Sequence, residues 1–98
     1  MFLSFLVDDD ADDHNFFQKA VSRMLIPLRC EFAFGRLEAI GMLKGNPNFR
    51  PDFIFLDINM PIMNGLECLR EMRKMEKLEN TPIYMYSTSA TMILRKAA

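Results

Sequence analysis

Four apolar residues run directly into a carboxylate at Phe53-Ile54-Phe55-Leu56-Asp57-Ile58-Asn59-Met60-Pro61, and this segment determines the architecture. A short continuous apolar run closed by a proline is typical of a strand buried on both faces of a parallel sheet. Asp57 then lies at the carboxyl end of that strand, where open α/β sheets place their ligand sites. The alternative is that Asp57 only caps a turn, since aspartate is common in turns.

Three other segments predict strands. Phe2 to Val7 and Ile83 to Tyr86 are apolar runs that end in polar residues. Arg29 to Phe34 alternates polar and apolar side chains, a pattern typical of a strand at the edge of a sheet.

Apolar residues recur at helical spacing between the predicted strands. They are Phe16, Phe17, Ala20, Val21, Met24 and Leu25, then Leu37, Ile40 and Leu43, then Leu66, Leu69, Met72 and Met75. Ala90 to Ala97 is predicted to begin a fourth helix, with Ser89 as its N-cap. A solvated helix face is the interpretation for the cations Arg70, Arg73, Lys74 and Lys77.

Alternation of strands and helices along 98 residues predicts one α/β domain. Its doubly wound parallel sheet has the strand order 2-1-3-4. Twelve basic and thirteen acidic residues nearly balance, which gives no electrostatic footprint for nucleic acid or an anionic membrane. No apolar segment approaches the roughly 20 residues of a membrane helix. Cys30 and Cys68 lack metal-ligand spacing, and reduced thiols in a cytosolic protein are the simplest interpretation.

Polar residues follow three of the predicted strands: Asp8-Asp9 after the first, Asp57 in the third and Ser87-Thr88 after the fourth. In the predicted strand order these ends share one edge of the sheet. Two carboxylates about 4 Å apart repel by roughly 4 kcal/mol at an effective dielectric of 20, so they need a proton or a cation. Oxygen ligands suit Mg²⁺, and a metal-held Asp57 is a competent nucleophile toward phosphorus. The alternative is that Asp8 and Asp9 are solvated loop acids.

Three segments, Val7 to Asp9, Leu56 to Glu67 and Pro82 to Thr88, resemble the receiver domain of two-component response regulators. The most specific part is Asp57-Ile58-Asn59-Met60-Pro61-Ile62-Met63-Asn64-Gly65. The resemblance extends over residues 1–98 and implies a flavodoxin-like, CheY-like fold. It also implies a bacterial, cytoplasmic signalling protein that is a switch and not an enzyme.

The resemblance implies a role for each matching acid. Asp57 accepts a phosphoryl group from the phosphohistidine of a histidine kinase or phosphotransfer protein. Asp9 binds Mg²⁺ directly, Asp8 binds it through water, and Asn59 binds it through its backbone carbonyl. The run Asp8-Asp9-Asp10 leaves a one-residue ambiguity, and we prefer Asp8 and Asp9.

The resemblance also assigns the end of the fourth strand. Ser87 hydrogen-bonds the phosphoryl oxygen, and the backbone N–H of Thr88 assists. Phosphorylation then reshapes a face that binds an output protein.

One feature of the family is missing from the sequence. The family carries a lysine at the end of a fifth strand, whereas this chain stops within the predicted fourth helix. We therefore expect a receiver domain that is incomplete at its carboxyl end, without the fifth strand and helix. The exposed edge of Ile83 to Tyr86 then predicts pairing with another chain or a swapped dimer.

Two other functions are compatible with the residues. A receiver fold without phosphorylation could serve only as a protein-interaction module. A metal-dependent phosphohydrolase is the third hypothesis, although such enzymes usually carry an aspartate two residues after the nucleophile, where this chain has Asn59.

Overall fold

The structure, a computed structural model, describes residues 1–57, 65–86 and 95–97. Strands and helices alternate along the chain. In order they are β1 (Phe2–Val7), α1 (Ala11–Ser22), β2 (Leu28–Ala33), α2 (Arg36–Gly45), β3 (Phe53–Asp57), α3 (Gly65–Arg73), β4 (Ile83–Tyr86) and β5 (Arg95–Ala97). A 3-10 turn, Glu76–Leu78, precedes β4. Within these ranges no helix combines the length and the apolar character that crossing a membrane requires.

The first four strands form a parallel sheet in the order β2-β1-β3-β4, which confirms the predicted doubly wound α/β fold. The register aligns Val7 of β1 with Leu56 of β3, and Asp57 of β3 with Tyr86 of β4. The carboxyl ends of these three central strands therefore lie side by side at one edge of the sheet.

The two faces of the sheet pack against different helices. Alternate residues of the central strands, such as Phe5 and Ile54, join one buried cluster with Leu43 of α2 and Met72 of α3. The intervening residues face α1, where the rings of Phe17 and Phe55 lie 5.0 Å apart. This alternation is the period-two pattern of a pleated strand covered on both sides.

The first helix is shorter than its apolar spacing predicts. It ends at Ser22, where the amides of Arg23 and Met24 donate to Ala20 and Val21 in a tight last turn. Met24 and Leu25 therefore lie beyond the helix and are exposed, as is Phe16 within it. The prediction of one continuous apolar face is wrong for these residues.

The fourth predicted helix is also wrong where the structure tests it. Arg95–Ala97 form β5, which pairs antiparallel with β4. Backbone pairing satisfies hydrogen-bonding groups that the outer edge of β4 would otherwise present, and this gain outweighs the high helix propensity of arginine, lysine and alanine. The chain itself thus covers the predicted free edge of β4 from Ile83 to Met85. Ser89 and residues 90–94 lie outside the described residues.

Asp52 ties the amino ends of β1 and β3 together. Its carboxylate accepts the amide of Leu3 at 2.7 Å, and its own amide donates to the Leu3 carbonyl at 2.7 Å. Asp52 thus extends the hydrogen bonding between β1 and β3 to the residue that precedes β3.

Lys77 is a structural cation, which corrects its interpretation as part of a solvated face. Its ammonium group donates to the carbonyls of Leu43, Asn46 and Phe49 at 2.5, 3.1 and 2.9 Å. These acceptors belong to the last turn of α2 and to the loop that leads into β3. Burial lowers the pKa of Lys77, with a further contribution from Arg50.

We expect Lys77→Met to lower the free energy of unfolding by about 2 kcal/mol, because carbonyls bonded to a charged donor lose their partner. The control is Lys74→Met, which removes the same charge from an exposed position of the same segment. Urea unfolding followed by circular dichroism measures both. Equal stability of the two variants would contradict this role.

Candidate functional site

Three carboxylates meet at the carboxyl edge of the sheet. Asp57 ends β3, and Asp8 and Asp9 follow β1 directly. One oxygen from each side chain lies within 4.8 Å of the other two. Asp8 and Asp57 are buried, at 0% and 3% exposure, whereas Asp9 is exposed. The cluster therefore has two acids inside the protein and one at its mouth.

Asp8 is held at both its main chain and its side chain. Its amide donates to the carbonyl of Ala33 in β2 at 3.0 Å. One carboxylate oxygen accepts the amide of Asp10 at 2.9 Å, and the other accepts the hydroxyl of Tyr86 at 2.5 Å. A buried charge needs such donors, because it has lost its contacts with water.

His14 supports the same residue from α1. The side chain is buried, and its Nε2 lies 2.7 Å from the carbonyl oxygen of Asp8. Because a carbonyl can only accept, Nε2 carries the proton in this contact. The ring also lies 4.9 Å from that of Phe32 and 4.4 Å from that of Phe34. His14 thus ties the loop after β1 to the edge strand β2.

Burial dominates the electrostatics of the site. It raises the pKa of Asp8, and the nearby Asp57 raises it further, while the hydrogen bonds from Tyr86 and Asp10 act in the opposite direction. Burial and the interaction with Asp8 raise the pKa of Asp13 to about 6. Burial, followed by the bond to Asp8, also raises the pKa of Tyr86, so its hydroxyl keeps the proton that it donates.

The donor set fits a hard divalent cation. Ligands of an octahedral Mg²⁺ lie about 3.0 Å apart when they are adjacent and about 4.2 Å apart when they are opposite, since each bond is about 2.1 Å long. The oxygens of Asp8, Asp9 and Asp57 already lie within 4.8 Å of one another. A small movement, or a bridging water, brings all three into range, and the positive charge offsets their repulsion.

The structure places part of the predicted site. It brings Asp8, Asp9 and Asp57 together, whereas Asn59, Ser87 and Thr88 lie outside the described residues. Asp10 has a different task, because its carboxylate accepts the amide of Asp12 at 2.9 Å and caps α1. The geometry thus favours Asp8 and Asp9 over Asp9 and Asp10 as the pair beside Asp57.

Sequence reasoning missed Tyr86 and His14. Tyr86 carried a usable signal, since it ends a strand that neighbours β3 and directly precedes the predicted Ser87. His14 carried a weaker one, because a lone histidine in the first turns of a helix suits many roles.

Comparison with protein families gives a match along most of the chain. The model of a family described as "Response regulator receiver domain" matches residues 5–98. The sensor histidine kinase CheAY of Helicobacter pylori is 33% identical over 85 residues, which are 87% of this chain and 10% of that protein. The chain therefore spans about a tenth of the length of this curated relative.

Solved structures show the same likeness. The phosphorylated cyanobacterial phytochrome response regulator RcpA superposes with a TM-score of 0.79 at 31% identity, over 92% of this chain and 67% of that one. The Mn²⁺-bound form of response regulator Rcp1 superposes with a TM-score of 0.81 at 25% identity, over 93% of this chain and 68% of that one.

We expect Mn²⁺ to stabilise the protein and EDTA to reverse the effect. A cation at 100 times its dissociation constant contributes about 2.7 kcal/mol if it binds only the folded state. Thermal unfolding with and without MnCl₂ measures this shift.

The variant Asp57→Asn should behave in the opposite way. Without metal it should unfold at a higher temperature than the parent, since two charges that lie within 4.8 Å of one another repel by roughly 3.5 kcal/mol or more at an effective dielectric of 20. With MnCl₂ it should gain less than the parent. Asp12→Asn, which removes an exposed acid of α1, is the control. A full Mn²⁺ response in Asp57→Asn would contradict the site.

Proposed function

The chain belongs to the family of response regulator receiver domains, and we propose that it acts there as a phosphoacceptor switch with Asp57 as the phosphorylated residue. The observation that carries this proposal is the meeting of Asp8, Asp9 and Asp57 at the carboxyl edge of the sheet. Asp57 is buried enough for its side chain to be held in one orientation, and it lies beside the solvent-exposed Asp9. The cluster provides both a nucleophile and oxygen ligands for a metal.

The resident cation in this proposal is Mg²⁺, held directly by Asp9 and Asp57, through water by Asp8, and by the backbone carbonyl of Asn59. When bound, it neutralises negative charge on the phosphoryl group that enters. Hydrogen bonds from Tyr86 and the Asp10 amide keep Asp8 in one orientation. The Mn²⁺-bound relative supports a divalent cation at such a site.

The reaction in this proposal is phosphoryl transfer to Asp57. A carboxylate oxygen of Asp57 attacks phosphorus while the P–N bond of a phosphohistidine breaks, and the departing imidazole takes up a proton. The Ser87 hydroxyl and the Thr88 amide then hydrogen-bond phosphoryl oxygens. The donor is a histidine kinase or a phosphotransfer protein, in keeping with the likeness to the kinase CheAY.

The product is an acyl phosphate at the end of β3, beside β4. Its added charge draws the hydroxyl of Ser87 inward and changes the surface that follows β4. This local change in charge shifts the equilibrium between two conformations of that surface. An output protein that reads this surface is part of the proposal, as is a cytoplasmic location. Free thiols at Cys30 and Cys68 are compatible with a reducing compartment.

We expect acetyl phosphate with MgCl₂ to add one phosphoryl group to the parent protein and none to Asp57→Ala. Intact-mass spectrometry measures the addition. Asp12→Ala is the matched control, because it removes an acid from the exposed start of α1 and should be modified like the parent.

Two results would contradict the proposal. An unmodified parent would favour a module that only binds proteins, and equal modification of Asp57→Ala would place the phosphoryl group elsewhere. Steady release of phosphate from a monoester, without a phosphorylated protein, would instead favour a phosphohydrolase.

A further inference from the structure

Tyr86 places a phenol inside the acidic site. The residue is 5% exposed and ends β4 in register with Asp57. Its hydroxyl donates to Asp8 on the far side of β3, at 2.5 Å. The contact therefore joins the outer of the three central parallel strands to the loop after β1.

The length of the side chain is what makes this contact possible. β1 and β4 both pair with β3, so their backbones lie about 10 Å apart at a spacing of about 4.8 Å per strand. A serine or threonine at this position is too short to cross β3. A tyrosine places its hydroxyl at the carboxylate while its ring remains over the sheet.

The ring and the hydroxyl of Tyr86 have separable roles. The ring lines an apolar cavity of about 230 Å³ between α1 and the sheet, together with Leu6, Phe17 and Phe55. The hydroxyl donates to the carboxylate of Asp8, which is itself fully buried. Removal of the hydroxyl alone therefore leaves the packing surface and deletes one donor to Asp8.

We propose that Tyr86 is a positioning residue that sets the divalent-cation affinity of the site through its hydrogen bond to Asp8. The inference rests on the proposed function, because it assigns Asp8 to the cation. With one oxygen fixed by the Asp10 amide and the other by Tyr86, the carboxylate presents its remaining lone pairs in one orientation. Outer partners of this kind typically change metal affinity by about 10–100-fold when they are removed.

The test compares Tyr86→Phe with Tyr84→Phe in the intact protein. Tyr84 lies two residues earlier in β4 and stacks on Phe55 at 5.5 Å, so its variant loses a hydroxyl from the same strand away from Asp8. Titration with MnCl₂, followed by the electron paramagnetic resonance signal of free Mn²⁺, gives the dissociation constant. We expect the Mn²⁺ dissociation constant to increase about tenfold or more in Tyr86→Phe and to stay unchanged in Tyr84→Phe.

A donor restored at the same place should restore the affinity. 4-Aminophenylalanine incorporated at position 86 carries an N–H group where tyrosine carries its hydroxyl, and we expect it to recover most of the Mn²⁺ affinity. Urea unfolding without metal separates this effect from stability. A purely structural role would lower the unfolding free energy of Tyr86→Phe and leave the dissociation constant unchanged.

The outcomes separate this inference from the proposed function. An unchanged dissociation constant in Tyr86→Phe, with normal Mn²⁺ binding by the parent, overturns the role of Tyr86 alone. A parent that binds no Mn²⁺ overturns both. Phosphorylation of Asp57 that persists in Tyr86→Phe at saturating MgCl₂ agrees with a role in cation affinity.

Discussion

Two buried carboxylates side by side, Asp8 and Asp57, are the constraint on which the site depends. Such a pair is unfavourable in a dry interior unless donors or a cation compensate for the lost water. The chain supplies donors to Asp8 from β4 and from the loop before α1. Asp9, the third acid of the cluster, is exposed to solvent, so a cation at this site could enter from and leave to the solution. Parallel topology creates this situation, because it gathers strand ends from distant parts of the sequence at one edge.

The central strands could be predicted almost completely from the sequence. β1 and β4 have the predicted bounds, and β3 begins at Phe53, because buried parallel strands are apolar runs bounded by polar or turn residues. The strand order followed from the alternation of elements and from the resemblance. Ends of helices were less certain, as the early end of α1 at Ser22 shows. There a tight last turn takes the place of further helix, and spacing alone does not reveal it.

Contacts through long side chains could not be read from the sequence. Asp8, Asp9 and Asp57 were predictable as a group, since their positions follow from strand ends. The hydroxyl of Tyr86 reaches them from two strands away, and this depends on register and rotamer. Lys77 shows the same limit, because it looked like one cation among several on a polar helix. Only the folded chain brings the end of α2 and the following loop to its ammonium group.

At the amino ends of the strands, an acid has a different role. Asp52 bonds to Leu3 through both its carboxylate and its amide, so its charge is engaged in holding strand ends. The six residues of β1 lie between the amino ends of the strands and Asp8, which is a distance of about 20 Å at 3.3 Å per residue. Met1 directly precedes β1 at this end of the sheet, and it is 87% exposed. A fluorophore or a surface linker attached there therefore leaves the end of the molecule that carries Asp8, Asp9 and Asp57 open to solution.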